Sequence, residues 1–127
     1  MTPEAGRFLA KARKLLERAA TMLKAGLNED AGRTAYLAGF HAAQAFIFET
    51  NQKVFKTHKG VQTEFLRLTK GDPRFAAEQR IFLSQAYNLK AIADYETGPG
   101  SEISAERATR AVEAGKEFVG HIAKMHS

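Results

Sequence analysis

The chain has no cysteine, no tryptophan and only three prolines among 127 residues. Without cysteine there is no disulfide, no thiolate nucleophile and no thiolate metal site, and nothing points to an oxidising compartment. No apolar run approaches the ~18 residues that a membrane-crossing helix needs. The opening Met1-Thr-Pro-Glu-Ala has neither the basic nor the apolar stretch of a secretory leader, so a cytoplasmic protein is expected. Low-complexity tracts are missing too. With 44% apolar and 26% charged residues, the balance is that of a folded domain rather than a disordered segment. The length fits one domain, residues 1–127, around one core.

Several site chemistries lack their motifs. The four histidines, at 41, 58, 121 and 126, show no His-Glu-x-x-His or other paired-ligand spacing. None has a glutamate three residues before it, as a di-iron bundle requires. There is no Gly-x-Ser-x-Gly elbow and no Gly-x-Gly-x-x-Gly fingerprint. No metal and no cofactor are expected. His121 and His126 fall near the end of the chain and read as incidental.

What is present is an uneven charge and a clear helical rhythm. The net charge of +5 is concentrated in residues 1–24 and 53–70, each at +4, against −2 for 25–52 and −1 for 71–127. Two basic segments on a near-neutral body suit a polyanion or an acidic partner, or are simply solvated helix faces. Thr2-Pro3-Glu4 predicts a cap followed by proline at the first helical position. Phe8, Ala12, Leu15, Leu16, Ala19 and Leu23 then recur at helical spacing up to Gly26. Asn28-Glu29-Asp30 predicts the start of a second helix, running to about Asn51. Gly32, Gly39 and alanines at 31, 35, 38, 42, 43 and 45 make it the segment of closest helix contact. Thr57 is placed to cap a short third helix, His58 to Thr69. Gly71-Asp72-Pro73 predicts the opening of a fourth helix that ends near Tyr95 and carries Phe75, Phe82, Ala86, Leu89 and Ala93 on one stripe. Thr97-Gly-Pro-Gly-Ser101 breaks the chain, and a fifth helix from Ser101 or Ser104 to about Met125 follows. No strand-like alternation occurs. The expected fold is all-α, an up-and-down bundle of four long helices and one short one.

Three groupings can carry chemistry. Arg33, Tyr36 and Phe40 share a face of the second helix, with His41 on the neighbouring face. Arg33 and His41 stand roughly 12 Å apart along the axis, so they need not touch. An arginine there can fork onto phosphate and a histidine can move a proton; equally, both can be buried groups satisfied by neighbours. Lys53, Lys56, Thr57, His58 and Lys59 gather at a helix N-terminus, where free N–H groups favour an anion or Thr57 merely caps. Tyr87, Lys90 and Asp94 share a face near Tyr95 and Glu96. Lys90 and Asp94 form either a surface pair or part of a bridge from Asp94 to Arg33 or His41 across the bundle.

Arg33-x-x-Tyr36-x-x-x-Phe40-His41-Ala42-Ala43-x-Ala45, then Thr57-His58-Lys59-Gly60-Val61, then Ala93-Asp94-Tyr95 resemble the HEPN domain family, over about residues 6–124. The branch most similar is that of small stand-alone bacterial and archaeal HEPN proteins. The resemblance implies a four- or five-helix bundle, commonly a homodimer, among toxin–antitoxin and RNA-related systems and often beside a minimal nucleotidyltransferase. Many members are metal-independent ribonucleases with an Arg-x4–6-His motif, in which the histidine assists attack of the RNA 2′-hydroxyl and the arginine steadies the phosphate. Here seven residues separate Arg33 from His41, and no arginine stands at the nuclease spacing from any histidine. The expectation is therefore a protein that binds RNA, nucleotide or a nucleotidyltransferase partner and leans away from enzymatic activity. Its site is Arg33, Tyr36, His41, His58, Lys59, Lys90, Asp94 and Tyr95. An active ribonuclease toxin built on Arg33 or Lys90 with His41, and a non-catalytic structural dimer subunit, are the alternatives.

Overall fold

Three helices begin at hydroxyl caps that lie within three residues of the amide they satisfy. In a computed structural model, which describes residues 1–95, 97–98 and 102–126, Thr2 accepts from Ala5 N at the start of α1 (Pro3–Lys24). Thr57 does the same for Gly60 N at α3 (His58–Thr69), and Ser104 for Arg107 N at α5 (Ala105–Met125). Such caps each contribute about 1 kcal/mol. The other two helices, α2 (Asn28–Asn51) and α4 (Ala77–Tyr95), start differently from expectation. At α2 the cap is Leu27, without a side-chain bond. The turn is closed by backbone bonds from Gly26 N to Leu23 O and Leu27 N to Met22 O, so Asn28 is already helical and its side chain is not the cap.

The fourth helix starts later than Asp72-Pro73 suggests. Asp72 instead organises a turn: its carboxylate accepts from Arg74 N at 2.9 Å, and Phe75 N donates to its carbonyl. The turn drops Phe75 into the core, 6% exposed, edge-on to Phe46, Phe65 and His121. Burying that ring is worth roughly 2–3 kcal/mol, more than one further turn of exposed helix would give. His121 packs on Phe75, and His126 caps α5 near Phe46, so neither sits on a loose end. In the 97–101 breaker, Pro99, Gly100 and Ser101 lie outside the described residues, as does the Ser101 start for the fifth helix.

Cross-helix contacts fix the directions. Thr2 N donates to Glu49 at 2.8 Å, so α1 and α2 are antiparallel. Gly32 faces Leu89 and Gly39 faces Phe82, which sets α4 antiparallel to α2. Ala35 meets Gly115 and Phe46 meets His126, so α5 runs with α2. Tyr36 meets His58 and Phe46 meets Phe65, so α3 also runs with α2. The return stroke between them is made by the extended connector 52–57, held along α2 by Gln44. The described residues form an all-α bundle of four long helices and one short helix. None of these helices is long and apolar enough to cross a membrane.

The glycines of α2 do what their positions imply. A Cβ at Gly39 would lie 2.2 Å from Phe82 Cε2, and one at Gly32 would lie 3.0 Å from Leu89 Cδ2. With Ala31, Ala35, Ala38, Ala42, Ala43 and Ala45 all buried, α2 is the central helix against which α1, α4 and α5 pack.

Candidate functional site

Two separate polar networks grow from α2, starting about two turns apart on neighbouring faces. The first begins at Arg33. Its Nε donates to Asp94 Oδ1 on α4 at 2.5 Å, and its Nη1 donates to Asp30 at 2.7 Å. Lys90, one turn before Asp94, donates to the other carboxylate oxygen. Asp94 thus sits between two cations, which hold its carboxyl below the usual range. The side chains are 31%, 20% and 23% exposed for Arg33, Asp94 and Lys90, so all three remain reachable from solvent. The bridge spans 61 residues of sequence and closes because glycine at 32 and 39 lets α4 come in against α2.

One turn further along the same face, the Tyr36 hydroxyl lies 2.8 Å from His58 Nδ1. Burial pushes the Tyr36 phenol up and the His58 imidazole down. Tyr36 is therefore assigned as donor to Nδ1, with the His58 proton on Nε2. His58 stacks on Tyr87 at 3.8 Å between centroids, and Tyr87 meets Tyr36 edge-on at 5.5 Å. Lys90 Nζ lies 5.9 Å from the Tyr87 ring and 6.0 Å from the ring of Tyr95, whose residue is 75% exposed. Lys59 projects into solvent beside His58. The Thr57 hydroxyl accepts Gly60 N, so part of the α3 N-terminus is already satisfied by its cap.

The second network begins at His41. Its Nδ1 donates to Gln44 Oε1 at 2.7 Å, and Gln44 Nε2 donates to the Phe55 carbonyl at 2.8 Å. Gln44 is 6% exposed. Burial, with Lys11 of α1 adding to it, keeps the His41 pKa below the ordinary value. This chain of bonds pins the extended connector to α2.

The structure therefore brings together Arg33, Tyr36, His58, Lys90 and Asp94, with Lys59 and Tyr95 at the margin, and sets His41 apart. Asp94 meets Arg33, not His41. Asp30, which shares Arg33, and Gln44, which absorbs His41, were not anticipated as site residues; Tyr87, whose ring completes the stack, stood in the third grouping but not in the expected site. Tyr87 was on the right face by spacing, three residues before Lys90. Gln44 was signalled only by its position three residues after His41.

A helical bundle with a cation–carboxylate–aromatic cluster across its second, third and fourth helices is the class of structure defined here. The sequence matches the model of the HEPN domain over residues 5–124. The chain belongs to the HEPN domain family. No curated protein matches it significantly.

Proposed function

We propose that this HEPN protein, one domain over residues 1–127, binds RNA or a nucleotide at its Arg33–Lys90 face and does not cleave it. In this reading it acts as a homodimer in the cytoplasm, within a toxin–antitoxin-type module whose partner is a minimal nucleotidyltransferase. The observation that carries the reading is the separation of Arg33 from His41. General acid–base cleavage of RNA needs an imidazole within hydrogen-bond reach of the atom whose proton it moves. His41 lies about two turns from Arg33 and donates a hydrogen bond through Nδ1 to Gln44, while Arg33 is engaged with Asp94 and Asp30. The Arg33 face does hold what single-strand or nucleotide binding uses: cations for phosphate and rings for bases. Lys90 and Lys59 supply charge, and Tyr36, His58, Tyr87 and Tyr95 supply rings. His41 lies off this face and is the weakest member of the expected set.

A ribonuclease reading keeps one specific support. The imidazole held beside the Arg33 turn is His58, through Tyr36, so an active enzyme here would pair Arg33 with His58. The test separates the two. Purified protein incubated with total RNA in EDTA leaves the RNA intact under the binding reading; cleavage abolished by His58→Ala or His41→Ala would replace that reading with the enzymatic one. Titration with a short single-stranded RNA is saturable, and Lys90→Ala lowers the slope of log affinity against log salt by about 1. A flat signal at millimolar RNA and at millimolar ATP sinks the binding site.

A further inference from the structure

A groove outside this site opens between α4 and α5. The two helices touch where Phe82 stacks on Phe118, at 4.7 Å, and again where Leu89 packs with Ile103 and Ala108. Between these contacts a cavity of about 470 Å³ is lined by Phe82, Gln85, Ala86 and Leu89 on one wall and by Arg107, Arg110, Ala111 and Ala114 on the other. Each wall is a single i, i+3, i+4, i+7 stripe. The floor is apolar and firm: Phe82, Ala86 and Leu89 are under 9% exposed, and Phe82 is wedged against Gly39. The α5 wall is low because alanines stand at 111 and 114.

The charge in the groove is asymmetric. Arg107 makes no ion pair among the described residues. Arg110 is paired with Glu106 at 2.7 Å, both widely exposed. Two arginines and one glutamate leave a single positive charge at this rim. The α4 wall contributes no charge, only Gln85. Because α4 and α5 are antiparallel, Arg107 lies at the Leu89 end and Ala114 at the Phe82 end, roughly 10 Å away. The volume falls in the range of small-molecule sites.

We propose that this groove binds an amphiphilic monoanion: a carboxylate, or an anionic head of like charge, on Arg107 and Arg110, with an apolar tail of about eight to ten carbons lying over Ala111 and Ala114 against Phe82. A polyphosphate does not suit it, since net charge at the rim is +1 and the floor is apolar. A cationic amphiphile of the same tail meets the arginines and is rejected.

Decanoate below its micellar concentration is the probe, with decyltrimethylammonium as the charge-reversed control and methyl NMR of the full chain as the readout. Decanoate is expected to move the Leu89, Ala111 and Ala114 methyl signals saturably, and the cation to bind at least about tenfold more weakly. Arg107→Gln weakens decanoate about tenfold, and Ala114→Phe, at an exposed position, fills the groove and removes the response. Equal binding of the two amphiphiles, unsaturable shifts, shifts centred elsewhere, or an unchanged affinity in both variants overturns the assignment.

Discussion

The two polar networks of α2 start only eight positions apart, yet they differ in what they bond to. Arg33 reaches side chains: two carboxylates from α2 and α4, with Lys90 sharing one of them. His41 reaches a backbone carbonyl through a buried amide. Side-chain partners on a half-exposed seam can be exchanged for a ligand's phosphate at modest cost, because exposed ion pairs are worth only about 0–1 kcal/mol. A backbone carbonyl in the connector has no such substitute. Polar residues on one helix thus divide into a face whose partners are exchangeable side chains and a face tied to backbone.

Breaking the face tied to backbone should have the largest effect. Gln44→Ala leaves His41 Nδ1 and the Phe55 carbonyl without partners and frees the connector. A fully buried group left unsatisfied costs about 1–3 kcal/mol; His41 and Phe55 are half-buried and water meets part of their need, so a loss of about 2 kcal/mol is expected in urea unfolding. RNA affinity of the protein that remains folded should hold. A loss under about 0.5 kcal/mol would show that the connector does not depend on this bridge.

The seam that joins the two faces to α4 comes next. Gly39→Ala gains about 1 kcal/mol of helix propensity, but its Cβ would stand 2.2 Å from the Phe82 ring. Overpacking of a stacked, buried ring costs about 1–3 kcal/mol, so after the propensity gain a net loss of up to about 2 kcal/mol is expected. Gly32→Ala meets only the end of the Leu89 side chain at 3.0 Å. There propensity and crowding nearly cancel, and the melting temperature should stay within a few degrees. If both variants behave alike, the ring contact at Gly39 is not what sets the spacing.

On the Arg33 face, the proposed binding face, the expected stability effect is smaller and the functional effect larger. Arg33→Ala removes a partly exposed bridge and costs about 1 kcal/mol. Asp94→Asn should do no more, while raising affinity for short RNA by releasing Arg33 and Lys90 from an internal anion. If Arg33→Ala instead lowers stability by several kcal/mol and leaves RNA binding unchanged, the cluster is a structural network and the contrast between the faces collapses.

What could be read from the sequence follows the range of each interaction. Thr2 and Thr57 satisfy amides three residues away, so their caps were legible, and Ser104, which does the same, was one of two candidates for its helix. So was the closeness implied by Gly32 and Gly39, although not that Phe82 and Leu89 would fill the space. The bridge from Asp94 was foreseeable only as a choice between Arg33 and His41, because helix spacing gives the face but not the neighbour. Phe75 misled because it stands seven residues before Phe82, in phase with the apolar stripe of the fourth helix, whereas tertiary burial drew it into the core from a turn. The return stroke of connector 52–57 could not be seen locally at all. It exists because Gln44 finds a carbonyl that only the folded chain brings near.

The weakest probe of the comparison, and the one that reports on both faces together, is pH. Burial is the first cause lowering the pKa of both His58 and His41. For His58, Lys90 lowers it further while Gln62 opposes; for His41, Lys11 lowers it while Gln44 opposes. A histidine whose folded pKa lies below the unfolded 6.5 takes up its proton first in the unfolded chain. Stability from each is therefore complete above about pH 6.5 and is lost as pH falls through the lower folded value. Glu64, held at about 2 chiefly by Arg67, loses its contribution only further down, below its ordinary 4.5. Urea midpoints measured from pH 7.5 to 5 should decline gently for the native chain. His58→Gln should remove part of that slope while leaving the connector in place. His41→Gln should remove another part and, unlike His58→Gln, also weaken the hold of Gln44 on Phe55. If neither substitution flattens the profile, the two imidazoles titrate as freely as exposed ones, and the burial that distinguishes them from Lys59 and Tyr95 plays no part in stability.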